Sequence, residues 1–136
     1  MTERTLVDYV LKGMKGRWSA TKHADAWTPG IADLSYRVNG HNGWMELKTI
    51  TAPPKRPGTI ARFDHPLSSS QVGFLTERDG KLLVRILSPR LYLGFDAREI
   101  AEMWRADGWP FALLEQMAAQ AWKQRIDWKE MVEWLG

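Results

Sequence analysis

The chain has no cysteine, which excludes disulfides, thiolate-bound metals and a cysteine nucleophile, and removes any reason to place it in an oxidising compartment. Any metal must be held by oxygen or imidazole. Long apolar runs are missing too, since none approaches the ~20 residues that cross a bilayer. The start, Met1-Thr2-Glu3-Arg4, lacks the basic-then-apolar layout of a signal peptide. We therefore expect an intracellular, cytoplasmic protein with no membrane partner. Glycine-rich phosphate loops, zinc-finger spacing, the familiar Ser-His-Asp orders and internal repeats are also absent. What is present, in 136 residues, is about one domain of chain, able to bury roughly two-thirds of its unfolded surface around a single core.

The net charge is +3, but residues 10–62 hold nine Lys/Arg against three Asp/Glu, and the flanking stretches are slightly acidic. Such a stretch attracts a polyanion and makes binding salt-dependent. Its plainer explanation is a solvated basic surface.

Leu6, Val7, Val10, Leu11 and Met14 recur at helical spacing, predicting an amphipathic helix over 3–15 with Thr2 as a possible N-cap and Gly16 beyond its end. Residues 17–30 look irregular and end in the chain-turning Trp27-Thr28-Pro29-Gly30. Two strand-like runs, Ile31 to Val38 and Gly43 to Ile50, flank Asn39-Gly40-His41-Asn42, so a hairpin is predicted. Residues 51–66 are Pro-rich and basic, and read as an exposed loop with little regular structure. Ser68-Ser69-Ser70-Gln71 opens a short helix ending near Asp79-Gly80. Lys81 to Leu87 and Leu91 to Phe95 are further strands. Beyond Asp96 the pattern is helical: Asp96 with Glu99 is a capping box, Gly108-Trp109-Pro110 a break, and Asp127 with Glu130 opens a last helix. Five of the eight tryptophans fall here: Trp104, Trp109, Trp122, Trp128 and Trp134. They form a packing face, on the core or at a subunit interface. The order predicts an α/β fold, a small mixed β-sheet with flanking helices over 1–95 and a helical C-terminal extension of the same domain over 96–136.

If the hairpin closes symmetrically on Gly40 and His41, Asp33 lies opposite Lys48 and Glu46 is its diagonal neighbour. All three side chains then point to one face, while Leu34, Met45 and Leu47 enter the core from the other. Cross-strand ion pairing on an exposed sheet surface would explain the trio equally well.

Gly30-Ile31-Ala32-Asp33-Leu34 followed by Trp44-Met45-Glu46-Leu47-Lys48 resembles motifs II and III of the PD-(D/E)xK nuclease superfamily, in particular the small Holliday-junction-resolvase-like and VRR-NUC-like branch of phages and microbes. The resemblance implies a restriction-endonuclease-like core and a metal-dependent nuclease, here a structure-selective DNA endonuclease acting in the cytoplasm, of the host if phage-encoded. It implies Mg²⁺ or Mn²⁺ held by Asp33, Glu46 and the Leu47 carbonyl, with Lys48 orienting the attacking water or stabilising charge. It extends over residues 3 to about 87, adding Glu3 as an acidic ligand on the first helix, ahead of Asp8, and Gln71 on the helix after motif III. Glu3 is equally a good helix N-terminal residue, and Gln71 is equally a cap. The usual proline before the aspartate is Ala32, which departs from the pattern without removing a ligand.

Lys15, Arg17 and Lys22 before the site, and Lys55, Arg56 and Arg62 after it, are candidate phosphate contacts, the last three on a loop able to close over a substrate. His23, His41 and His65 are scattered without metal-ligand spacing, and for His41, in the predicted hairpin turn, a solvated side chain is the default. Branched or duplex DNA is the implied partner, and a four-way junction would suit a two-fold homodimer, with the Trp-rich segment as interface or as a cap on the sheet. Two other readings stay open: a non-catalytic nucleic-acid-binding or regulatory protein that keeps the fold, and a protein-interaction module using exposed tryptophans.

Overall fold

A computed structural model describes residues 3–24 and 27–136, with the side chain of Glu3 excluded. The proposed Thr2 cap and the Glu3 ligand therefore lie outside the described residues. The predicted α/β class holds. Six strands form one mixed sheet in the order β1 (Ser19–Lys22), β2 (Leu34–Val38), β3 (His41–Ile50), β4 (Lys81–Ile86), β5 (Leu91–Phe95) and β6 (Gln120–Lys123). All neighbours are antiparallel except β3 and β4. A parallel pair needs a crossover, and α2 (Ser69–Glu77) supplies it.

The two faces are covered by different parts of the chain. Alternation puts Leu34, Tyr36, Val38, Met45, Leu47, Leu83 and Tyr92 on one face, under α1 (Glu3–Gly13) and α5 (Trp128–Leu135). Leu6, Val10 and Met14 of α1 and Met131 and Leu135 of α5 are buried there. On the other face Ile50, Leu82, Val84, Ile86, Leu93 and Phe95 pack against α2, α3 (Ala97–Arg105) and α4 (Phe111–Met117). The two outer helices of the chain also touch each other: Tyr9 Oη accepts from Ile126 N at 3.0 Å, and its ring lies 5.1 Å from that of Trp128.

Three expectations are corrected. The irregular stretch after Arg17 contains β1, an edge strand whose sequence, SATK, carries no large aliphatic residue and is mostly exposed. The C-terminal extension is helical except for β6, which extends the sheet, so residues 96–136 help build the core. The hairpin turns on Asn39-Gly40, both with positive φ, and pairs Val38 with His41 and Leu34 with Met45. Asn-Gly favours this two-residue turn because its twist matches that of the strands. Continued, the register sets Asp33 opposite Glu46, with Lys48 two residues further; a shift of two leaves every side chain on its predicted face.

The Pro-rich loop is exposed with little regular structure, as expected, and is in addition anchored at its base. Ala112 N donates to Pro57 O, Phe111 N to Thr59 O and Ala61 N to Trp109 O, while Asp64 N donates to Thr49 O. A lone bridge pairs Ile60 with Pro110. The partner of this loop lies some fifty residues downstream, beyond the reach of local turn chemistry.

Capping follows expectation. Asp127 accepts from Lys129 N and Glu130 N to start α5, and Asp96 N donates to Glu99 Oε1 at 3.1 Å. Most of the C-terminal tryptophans serve the core, as a cap on the sheet: Trp109 and Trp122 are buried, and Trp128 and Trp134 pack against the α1 face. Trp104 is the exposed member of the group.

Candidate active site

β2 begins at Leu34, one residue after Asp33, so the β3 edge beyond Met45 has no strand partner on that side. Asp33 fills the gap: its Oδ2 accepts from Leu47 N at 2.8 Å. In an antiparallel pair, a residue's N–H and C=O point to the same neighbour, so the Leu47 carbonyl faces the side where Asp33 lies. Asp64 continues the same role four residues on, taking Thr51 N at 3.0 Å and also the Thr51 hydroxyl. Partial burial works against ionisation of Asp64, but the two Thr51 hydrogen bonds outweigh it and leave its carboxyl below the usual range.

Glu46 and Lys48, alternating with Leu47, project to the face that α2 covers. Both are 2% exposed. Lys48 Nζ lies 3.4 Å from Glu46 Oε2, and the same oxygen accepts from Gln71 Nε2 at 3.3 Å. Gln71 caps α2 and also reaches Glu46. Its Oε1 accepts from Ser68 N at 3.0 Å and its own N–H donates to Ser68 Oγ at 3.1 Å, completing the capping box, while its amide nitrogen faces the site.

Glu46 Oε1 is buried with no hydrogen-bond partner among the described residues. Burial, then the negative charge of Asp33, push the Glu46 carboxyl up to about 8, against the opposing pull of Lys48. Two carboxylates, one sealed from water with an orphaned oxygen, form an arrangement that costs stability unless a proton or a cation joins them.

The donor set suits a hard cation. Among the described residues no group of three or more acidic or histidine side chains gathers. Two carboxylates and a backbone carbonyl resemble the sparse protein share of an Mg²⁺ site, where water and phosphate oxygens complete the shell.

Gly30 brings the parts together. Its φ is +72°, and a Cβ there would meet Ser70 O at 2.2 Å. The loop leading to Asp33 thus lies against the first turn of α2, next to Gln71, at a distance only glycine permits.

The basic candidates divide. Lys22 is paired across the sheet with Leu34, beside Asp33, and lies 3.7 Å from Asp8. Lys15 and Arg17 sit in the turn after α1, near where Ser19 pairs with Arg37, three strand positions or ~10 Å toward the hairpin end. They are not gathered with the site. Lys55 and Arg56 are exposed on the loop tip and Arg62 on its anchored part. The bonds of Pro57, Thr59 and Ala61 pin the base of this loop.

His41 is exposed as expected and His65 is exposed too, while His23 is half-buried. Its backbone N donates to Asp33 O at 2.9 Å. Its Nε2 is 2.7 Å from Ser35 Oγ and its ring centroid 5.2 Å from that of Trp44. Trp44 in turn meets Phe74 of α2 edge-on. This cluster adjoins the carboxylates and was invisible in the sequence, because only the β1 pairing brings His23 level with Asp33.

No protein-family model matches the chain, and comparison with curated proteins finds no match.

Proposed function

We propose that the chain is a Mg²⁺- or Mn²⁺-dependent nuclease that hydrolyses nucleic-acid phosphodiester bonds, with branched DNA of the Holliday-junction type as its substrate class. One observation carries the reading: Asp33, Glu46, Lys48 and Gln71 converge at a buried carboxylate whose second oxygen has no hydrogen-bond partner among the described residues. Cross-strand pairing on a solvated surface, the plainer explanation, does not suit Glu46 and Lys48, which are each 2% exposed.

Each residue has a part. Asp33 is fixed by Leu47 N–H and Glu46 by Gln71, which leaves Asp33, Glu46 Oε1 and the Leu47 carbonyl as the oxygens able to hold the cation. When bound, such a cation polarises a phosphate and lowers the pKa of a coordinated water. Lys48 places an ammonium where negative charge grows on the phosphoryl oxygens, a contribution that strengthens as water is excluded. Lys22 and the loop cations Lys55, Arg56 and Arg62 supply sequence-independent attraction for the backbone. A two-fold pair of such sites would match the paired strands of a four-way junction.

The test is cleavage of plasmid, linear and four-way-junction DNA with Mg²⁺ or Mn²⁺, beside Asp33→Ala and Lys48→Ala. Metal-dependent products from the native chain, absent from both variants, support the reading. Intact substrate throughout, with binding retained, would replace it with the non-catalytic nucleic-acid-binding one.

A further inference from the structure

A separate cleft opens on the Glu46 face of the sheet, between the anchored part of the loop and the C-terminal half of α3. Phe63, Leu67, Met103 and Trp104 give it apolar walls, and the exposed Arg62 and Asp107 also line it. Both walls are held in place. The loop side is pinned by the bonds of Thr59 and Ala61 to Phe111 and Trp109. On the helix side Ile100 and Met103 are buried, while Trp104 remains 47% exposed. A preformed apolar recess with a few polar groups is the usual form of a ligand site.

Its position follows from the topology. Phe63 and Leu67 pack in the cluster that contains Ile50, the last residue of β3. Four strand residues, ~13 Å, separate Ile50 from Glu46. α3 starts level with Glu46, because Phe95 pairs with Leu82 and Leu82 with Glu46, and it carries Trp104 near its far end. The chain between them, residues 64–71, begins at Asp64 beside Thr49 and ends at Gln71 on Glu46. The cleft is therefore within a few nucleotides of the carboxylates along one strand.

We infer that this cleft takes one unpaired nucleobase of the strand whose phosphate lies at Asp33 and Glu46; the location of that phosphate rests on the nuclease reading. A base is flat and apolar on its faces, which suits Trp104 and Phe63, and polar on its edge, where the Asp107 carboxylate can accept from an exocyclic amino group. Arg62 supplies the positive charge for the adjoining phosphate. A paired base, stacked on both faces with its edge engaged, cannot enter. The site thus selects strands with unpaired bases beside the cut, such as tails, flaps and opened junctions.

The experiment measures binding of the metal-free full chain, in EDTA at fixed salt, to a blunt DNA duplex and to the same duplex bearing a short single-stranded DNA tail, RNA tail or abasic tail. The expected result is tighter binding to the base-bearing tails, with the abasic tail no better than the blunt duplex. The two base-bearing arms tell whether the base comes from DNA or RNA. Trp104→Ala is expected to weaken tail binding roughly 5- to 100-fold and leave the blunt duplex unaffected, whereas Trp104→Phe keeps most of the preference. Equal binding to tailed and blunt duplex, an abasic tail as good as a base-bearing one, or an equal Trp104→Ala loss on both duplexes would overturn the assignment. Cleavage is scored separately with Mg²⁺ or Mn²⁺. A Trp104-dependent tail preference without cleavage supports the cleft and sinks the nuclease reading, and cleavage without the preference does the opposite.

Discussion

Glu46 makes the metal-free protein sensitive to pH in a calculable direction. Its carboxyl stands at about 8 in the folded chain against an ordinary 4.5, chiefly through burial and then through Asp33. Between those values the folded state keeps a proton that the unfolded state releases, so stability is fullest below pH 4.5 and falls as pH rises toward 8. The slope approaches ~1.4 kcal/mol per pH unit, and the accumulated loss by pH 7 is on the order of 3 kcal/mol. Glu46→Gln removes the titration while keeping shape and an acceptor for Gln71 Nε2. Urea unfolding in EDTA, from pH 5 to 8, should therefore give a profile for the native chain that falls away from that of the variant, the gap widening with pH. Parallel profiles would refute the idea that a buried, charge-opposed carboxyl dominates this site.

Three further outcomes are expected. Mn²⁺ at ten times its dissociation constant should stabilise the native chain by ~1.4 kcal/mol, a rise of about 5 °C in Tm, and should do nothing for Asp33→Asn or Glu46→Gln; equal shifts in all three by scanning calorimetry would place the cation elsewhere. Lys48→Met should lower cleavage by roughly 10²- to 10³-fold with an unchanged far-UV circular dichroism spectrum, and near-native turnover would remove the ammonium from the chemistry. Gly13→Ala should lower Tm even though alanine favours helix by ~1 kcal/mol. The added Cβ would sit 2.0 Å from Trp128 Cε2, and overpacking costs about 1–3 kcal/mol; a stabilised variant, seen by thermal melting, would mean that α5 can yield.

The sequence carried the site further than the fold around it. Period-two alternation put Glu46 and Lys48 on one face and Leu47 on the other regardless of register, so the error in the turn cost the pairing partner of Asp33 but not its side of the sheet. Capping chemistry is local, and Ser68 with Gln71, like Asp127 with Glu130, could be read from spacing alone. What stayed hidden depended on distant partners. β1 is a strand because β2 offers it an edge, β6 because β5 does, and residues 57–61 are ordered because residues 109–112 lie alongside. The burial of Glu46 was hidden for the same reason: nothing between Trp44 and Lys48 announces that α2 will lie over it.

Gln71 joins helix and site through a single planar amide, oxygen to Ser68 and nitrogen to Glu46. Capping boxes accept glutamate in this position as readily as glutamine. A one-atom exchange, nitrogen for oxygen, would therefore preserve the fold of α2 while setting a third carboxylate against the pair. The site's charge would then change by one unit at a single position, and charge and oxygen count are what separate cations that accept few protein oxygens from those that demand many. Position 71 thus couples the helix cap and the charge of the site in one side chain.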